Sequence, residues 1–211
     1  VDKEILNKKL WPEPLVQFNP TYEKGRSIKA LSDTGILHKD IEKIFSGYNL
    51  YKHQEEAIRI GASGREFIVT SGTGSGKSLT FMATIFNHIL NVGSSTSNKV
   101  QAVIVYPMNA LINSQNEEIK KFERNYLLNK LSDKSIFSEK DKTLDEQITE
   151  LRSIVGDIFP IKYGQYTGQE SEEMREKMRV HPPHIILTDY LMLELIMTRG
   201  GKGFDIKTKI L

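Results

Sequence analysis

Apolar residues along this chain form short continuous runs, separated by longer stretches of helical periodicity. The runs EFIVT at 66–70, VQAVIVY at 100–106 and HIILT at 184–188 predict buried strands. A further strand and turn are predicted in PIKYGQYTG, residues 160–168. Strands that alternate with helices indicate an α/β fold, with a mostly parallel sheet and helices on both of its faces.

The predicted helices lie between these strands. Apolar side chains recur at helical spacing before residue 61, again over 79–90, and again over 108–125. The inward positions are Ala57, Ile58, Ile60, Leu79, Met82, Phe86, Ile89, Leu90, Leu111, Ile112, Ile119 and Phe122. A charged helix is predicted at 170–180, and YLMLELIM at 190–197 predicts a buried helix because it is apolar on nearly every side.

The chain divides into an N-terminal part and one larger domain. Residues 1–47 predict an extended, wrapping arm with a short helix at 39–45, and residues 48–211 predict the compact domain. The dense mixed charge of 128–157 is typical of a solvated helical insertion. The glycine-rich end, residues 200–211, predicts a loop that leads into another strand.

Composition narrows the class of protein without deciding it. Of the 211 residues 38% are hydrophobic and 27% are charged, and the net charge of +2 is too weak to indicate nucleic acid by itself. The lack of cysteine excludes disulfides and thiolate metal sites. With neither a signal-peptide pattern nor a long uncharged apolar span, we expect a soluble protein of the cytoplasm.

The strongest chemical signal is IVTSGTGSGKSLTF at 68–81, where small residues stand between a predicted strand and a predicted helix. The residues of the loop itself are Gly72, Thr73, Gly74, Ser75 and Gly76. Such a loop turns successive backbone N–H groups towards phosphate oxygens. Lys77 is the predicted catalytic lysine at the β- and γ-phosphates, and Ser78 is the predicted magnesium ligand. Ser71 stands where the strict pattern has glycine.

A possible adenine contact lies upstream of this loop. Gln54, in LYKHQEEAI, precedes Lys77 by 23 residues. Its amide offers both a donor and an acceptor, which matches the edge of adenine. Tyr51, or alternatively Tyr48, is expected to stack on the base.

Five stretches then occur in the order and spacing of the superfamily 2 DEAD/DEAH-type helicases. They are LYKHQEEAI, VTSGTGSGKSLTF, VIVYPMNALINSQ, YTGQ and PPHIILTDYLMLE. Over residues 48–200 the chain resembles the first RecA-like motor domain of that family, and most closely the large helicases of bacterial phage-defence and repair systems. The resemblance implies ATP and Mg²⁺ as cofactors, and an ATP-dependent helicase or translocase in the full-length protein.

The resemblance also implies a nucleic-acid track and a partner domain. The implied contacts are Pro107, Asn109, Ala110, Gln115, Thr167, Gly168, Thr188 and Tyr190. For Thr188 and Tyr190 packing explains the pattern equally well, and Leu111 is assigned to the core. DNA is favoured over RNA as the bound strand. A second RecA-like domain of the same protein would supply the arginine finger.

One departure from the family pattern leaves an alternative open. The family's Asp-Glu pair has no counterpart after residue 188, so we expect an incomplete motor domain with negligible ATP hydrolysis on its own. Alternatively, Asp189 at the end of HIILTD acts as the Walker B acid. The chain would then be a compact P-loop ATPase or kinase.

Overall fold

A computed structural model describes residues 22–93, 99–131, 137 and 141–198. The strands are β1 (Lys24–Ser27), β2 (Asn49–Tyr51), β3 (Ala102–Tyr106), β4 (Tyr163–Tyr166) and β5 (Ile185–Asp189). The helices are α1 (Ile28–Asp33), α2 (Ile41–Ile44), α3 (Lys52–Ala62), α4 (Lys77–Val92), α5 (Asn109–Leu128), α6 (Leu144–Val155), α7 (Glu172–Val180) and α8 (Tyr190–Thr198).

The main sheet is parallel and has the order β3-β5-β4. Its central strand is the most buried, and Ile185, Ile186 and Leu187 are fully buried there. Ile185 and Leu187 join the large core, whereas Ile186 joins a smaller cluster on the opposite face. Side chains therefore pack against both faces of this sheet, and the predicted α/β arrangement is confirmed.

The large core is centred on aromatic rings from three helices or their ends. Phe45 follows α2 and lies 4.5 Å from Phe122 of α5 and 5.5 Å from Phe86 of α4, measured between ring centroids. The Phe86 and Phe122 rings meet edge to face at 5.9 Å. These contacts join the N-terminal helices to the helix that follows the phosphate loop.

Residues 22–47, the described portion of the N-terminal part, form regular elements. β1 pairs antiparallel with β2, and Lys24 lies opposite Tyr51. α1 follows β1 directly because Ser27 caps it, accepting a hydrogen bond from the Ala30 backbone at 3.1 Å. The short helix predicted at 39–45 is observed as α2. Residues 1–21 lie outside the described residues.

The prediction of a strand at 66–70 is wrong. These residues have no strand assignment, and Ile68 is 92% exposed. Exposure alternates along the segment, as it does in a strand with one covered face. An extended segment becomes a strand only when a neighbour takes its hydrogen bonds, and no described strand lies beside it.

The predicted insertion at 128–157 contains the end of α5 and the whole of α6. α6 packs along α5, where Arg152 forms an ion pair with the fully buried Glu123 at 2.6 Å. Tyr163 of β4 donates a hydrogen bond to the other oxygen of Glu123 at 2.7 Å. α6 is therefore attached to the core by charge-assisted bonds as well as by Ile148 and Leu151.

Two apolar predictions need correction. Leu111, predicted to face the core, is 38% exposed on the first turn of α5. α8, predicted to be buried, places only Ile196 fully inside, while Tyr190 and Leu191 are 67% and 70% exposed. An apolar sequence indicates what a helix is able to bury, but the described residues cover only one side of α8.

Across the described part of the chain, every helix is too short or too polar to span a bilayer. The strand predicted within 200–211 lies outside the described residues.

Candidate nucleotide and nucleic-acid sites

The phosphate loop turns directly into the N-terminus of α4. Gly74 and Gly76 adopt positive φ angles of 78° and 74°, a conformation that side chains other than glycine rarely adopt. Gly76 is the N-cap of α4, so the unpaired N–H groups of the first helical turn lie at the loop. Left-handed glycines that lead into a helix N-terminus suit an anion, and phosphate binding by this loop stays a prediction.

Lys77 folds back over this loop. Its ammonium donates hydrogen bonds to the backbone oxygens of Ser71 at 2.7 Å and Gly72 at 2.8 Å. Both acceptors are carbonyls of neutral peptide groups, so a phosphate oxygen would be a stronger partner for the ammonium. The lysine is therefore positioned at the loop and is paired with groups that an anion can displace.

Gln54 is bonded to the loop rather than exposed beside it. Its side-chain amide donates to the carbonyl oxygens of Ser75 at 3.3 Å and Gly76 at 3.0 Å. Its amide oxygen accepts from the Tyr51 backbone at 2.8 Å, and the residue is only 3% exposed. The amide thus joins the start of α3 to the phosphate loop. Adenine recognition by Gln54 stays a prediction, which requires exchange of these bonds.

Three rings form a cluster beside the loop. Tyr22, Tyr51 and His53 lie with centroid separations of 5.1–5.9 Å. The Tyr22 hydroxyl lies 3.4 Å from the position a Cβ on Gly72 would occupy, and His53 Nε2 is 3.2 Å from the Ser75 carbonyl oxygen. The sequence predicted Tyr51 here but missed Tyr22 and His53. Only the β1–β2 pairing brings Tyr22 to the loop, and no local motif signals that pairing.

Ser78, in the first turn of α4, lies near Tyr106 at the end of β3. Burial raises the pKa of the Tyr106 phenol, while the nearby Ser78 side chain acts in the opposite direction. Tyr106 lies opposite Asp189 in the β3–β5 register. Asp189 itself accepts a hydrogen bond from the Met192 backbone at 2.8 Å, which makes it a cap for α8.

The donors at the loop fit a triphosphate, but a protein-only magnesium site is not formed. Among the described residues, no three acidic, histidine or cysteine side chains cluster as a metal centre would require. Ser78 can therefore contribute one ligand at most, and phosphate oxygens would have to supply others.

Candidate nucleic-acid residues collect where the strands of the main sheet end. Pro107 follows β3, and Asn109 and Ala110 form the first turn of α5. Asn109 Oδ1 and Gln115 Oε1 are buried and have no hydrogen-bond partner. Buried acceptors without partners are uncommon, so this end of α5 has unused hydrogen-bonding capacity.

The remaining candidates differ in exposure. Tyr190 lies on the surface at the start of α8, and Gly168 is exposed after β4. Thr167 is buried, and its carbonyl oxygen accepts from Arg175 at 3.3 Å. Thr188 is fully buried, and its hydroxyl donates to the Tyr166 carbonyl oxygen at 2.7 Å. The hydroxyl of Thr188 therefore bonds to the neighbouring strand, and its contact with nucleic acid stays a prediction.

A model of the DEAD/DEAH box helicase family matches residues 51–159, which include the phosphate loop, β3 and α5. The chain belongs to this helicase family. The superfamily suggested by the sequence motifs is confirmed, and the alternative of a compact P-loop ATPase or kinase with Asp189 as its Walker B acid is not favoured.

Individual helicases and related proteins show the same likeness. The Druantia protein DruE of Escherichia coli is 26% identical over 185 residues, which cover 82% of this chain and 9% of DruE. The uncharacterised ATP-dependent helicase MJ1574 of Methanocaldococcus jannaschii is 30% identical over 139 residues, covering 66% of this chain and 18% of that protein. The chain therefore spans less than a fifth of the length of these two relatives.

Solved helicase structures show the same fold. The DUF1998 helicase MrfA, crystallised with DNA and AMPPNP, superposes with a TM-score of 0.58 at 20% identity, covering 99% of this chain and 24% of MrfA. At this identity the likeness concerns the fold, and it confirms the predicted RecA-like α/β class.

Proposed function

We propose that this chain is the ATP-binding part of a nucleic-acid-dependent motor, a superfamily 2 helicase or translocase. The observation that carries the proposal is the phosphate loop, where two left-handed glycines, a helix N-terminus and Lys77 converge. Membership of the helicase family supports the motor assignment. The AMPPNP bound by MrfA supports a nucleotide ligand.

Each residue of the loop has a defined part in this proposal. The backbone N–H groups of Gly72, Thr73, Gly74, Ser75 and Gly76 surround the phosphates. Lys77 exchanges its carbonyl partners for the β- and γ-phosphate oxygens, and it stabilises the charge that develops on them. Ser78 offers a hydroxyl oxygen to Mg²⁺, which would be shared with the phosphates.

The base is proposed to bind against the ring cluster of Tyr22, Tyr51 and His53. Tyr22 and Tyr51 are each 39% exposed, so an aromatic base can reach them. Stacking favours purines without distinguishing adenine from guanine. The proposed preference for adenine therefore depends on Gln54.

Nucleic acid is proposed to cross the ends of the strands at Pro107, Asn109, Ala110, Gln115, Gly168 and Tyr190. Amide side chains and a helix N-terminus suit a sugar-phosphate backbone and carry little sequence preference. The DNA bound by MrfA supports DNA rather than RNA as the strand. A second RecA-like domain of the full-length protein is proposed to close over the nucleotide and supply an arginine.

Nucleotide binding tests the proposal most directly. We expect Lys77→Ala to weaken binding of a fluorescent ATP analogue at least tenfold in the presence of magnesium. Lys39→Ala, which removes an exposed lysine far from the loop in sequence, is expected to leave the affinity unchanged. Equal affinity of Lys77→Ala and the parent chain would overturn the assignment. Titration with DNA and RNA oligonucleotides of one sequence, at fixed salt, then compares the two strands.

A further inference from the structure

His53, the second residue of α3, contacts both parts of the candidate nucleotide site. Its Nε2 atom lies 3.2 Å from the Ser75 carbonyl oxygen in the phosphate loop. Its ring plane is within 14° of the Tyr51 ring plane, with the two centroids 5.9 Å apart, and the Tyr22 ring lies 5.1 Å away. A single side chain therefore touches the loop proposed to bind phosphates and the rings proposed to bind the base.

The contact with Ser75 fixes which nitrogen of His53 carries a hydrogen. A carbonyl oxygen only accepts hydrogen bonds, so Nε2 carries the hydrogen and donates it. The same carbonyl oxygen accepts from the Gln54 side chain at 3.3 Å. Ser75 is completely buried, and its hydroxyl shares a hydrogen bond with the hydroxyl of Ser71 at the start of the loop. Ser75 is thus held through its carbonyl group and through its hydroxyl.

These bonds to the carbonyl oxygen also set the direction of a backbone N–H group. Ser75 lies between Gly74 and Gly76, the two left-handed glycines, where the backbone would otherwise rotate most freely. The peptide group that joins Ser75 to Gly76 is trans and planar, so its C=O and N–H bonds point in opposite directions. With the carbonyl oxygen bonded to His53 and Gln54, the Gly76 N–H points away from α3.

We propose that His53 is a positioning residue that joins the base and phosphate parts of the candidate nucleotide site, an inference that rests on the proposed function. Its Nε2–H fixes the peptide group between Ser75 and Gly76, which keeps the Gly76 N–H directed at a phosphate oxygen. Its ring extends the aromatic surface of Tyr51 against which the base stacks. Because the donor and the ring act on different parts of the nucleotide, substitution can remove one and keep the other.

Two substitutions separate these contacts, each measured with ATP and with inorganic tripolyphosphate, which has no base. His53→Phe keeps a ring and removes the Nε2 donor, so we expect both ligands to bind about fivefold more weakly. His53→Gln removes the ring and keeps an N–H donor at the same distance along the side chain. It should weaken ATP about fivefold and change tripolyphosphate affinity by less than about twofold. Isothermal titration calorimetry of the whole chain with magnesium measures all four affinities.

His88→Phe and His88→Gln are matched controls, because His88 is exposed on α4 about three turns from Lys77. Both should bind the two ligands as the parent chain does. Retained tripolyphosphate binding by His53→Gln also shows that this variant is folded. The inference is overturned if both His53 variants bind ATP like the parent, if His53→Gln weakens the two ligands equally, or if the parent binds ATP but no tripolyphosphate. An ATP affinity unchanged in Lys77→Ala would instead overturn the proposed function itself.

Discussion

Gln54 has two proposed roles, recognition of adenine and support of the phosphate loop. The two roles predict different results when its side-chain amide is changed. The substitution Gln54→Glu keeps the shape of the side chain and replaces its NH₂ donor with an acceptor. Both hydrogen bonds to the Ser75 and Gly76 carbonyls would be lost, although the bond from the Tyr51 backbone can remain. The negative oxygen would instead face two carbonyl oxygens in a buried position.

The expected loss follows from these contacts. Each hydrogen bond contributes about 1 kcal/mol net, and a buried polar group left without a partner costs about 1–3 kcal/mol. Some relaxation of the loop will reduce the sum, since Gly76 is exposed, although Gln54 and Ser75 are almost fully buried. We therefore expect Gln54→Glu to lower the free energy of unfolding by about 2–4 kcal/mol without any nucleotide present.

Urea unfolding at neutral pH, followed by circular dichroism, measures this loss. Gln169→Glu makes the same chemical change on an exposed residue and should stay within about 0.5 kcal/mol of the parent chain. The loop-supporting role is refuted if Gln54→Glu unfolds like the parent chain. If that variant also loses its preference for ATP over GTP, the amide acts on adenine alone.

Two further predictions concern the core and the sheet. Phe45→Ala should lower the free energy of unfolding by about 3–5 kcal/mol, because the fully buried ring contacts Phe86 and Phe122, whereas Phe45→Leu should cost less than about 1.5 kcal/mol. Urea unfolding measures both losses, and an equal loss of unfolding free energy in Phe45→Ala and Phe45→Leu would contradict the ring packing. His184 is buried, and burial lowers its pKa below the ordinary 6.5. The neutral side chain therefore makes its full contribution to the free energy of unfolding above pH 6.5, and this contribution is lost as the pH falls below that value. A His184→Asn variant should show a smaller fall in urea midpoint between neutral pH and pH 5; an identical pH profile would refute this role.

Local chemistry in the sequence was enough to locate the phosphate loop, which forms the candidate nucleotide site. The glycines, Lys77 and Ser78 lie within a few residues of one another, and their geometry follows from the turn itself. Family membership was likewise predictable, because the order of the motifs is a property of the sequence. The partners of Gln54 were not predictable, since a glutamine on a helix gives no sign of what it will contact across 21 residues.

Non-local pairing explains most of the errors. Residues 66–70 have the composition of a strand, but strand formation depends on a neighbour elsewhere in the chain. The same holds for α8, whose apolar surface exceeds what the described residues can cover. Tyr22 is the converse case, because β pairing places an unremarkable residue beside the phosphate loop.

The candidate nucleotide and nucleic-acid sites meet at the end of β3. Ser78 lies close enough to the Tyr106 phenol to oppose the rise that burial causes in its pKa, and its hydroxyl oxygen has a lone pair that it can offer to magnesium. Tyr106 is the last residue of β3, and Asn109 begins α5 three residues later. This short connection places the proposed magnesium ligand beside the segment that carries Pro107 and Asn109, where the proposed nucleic-acid track begins.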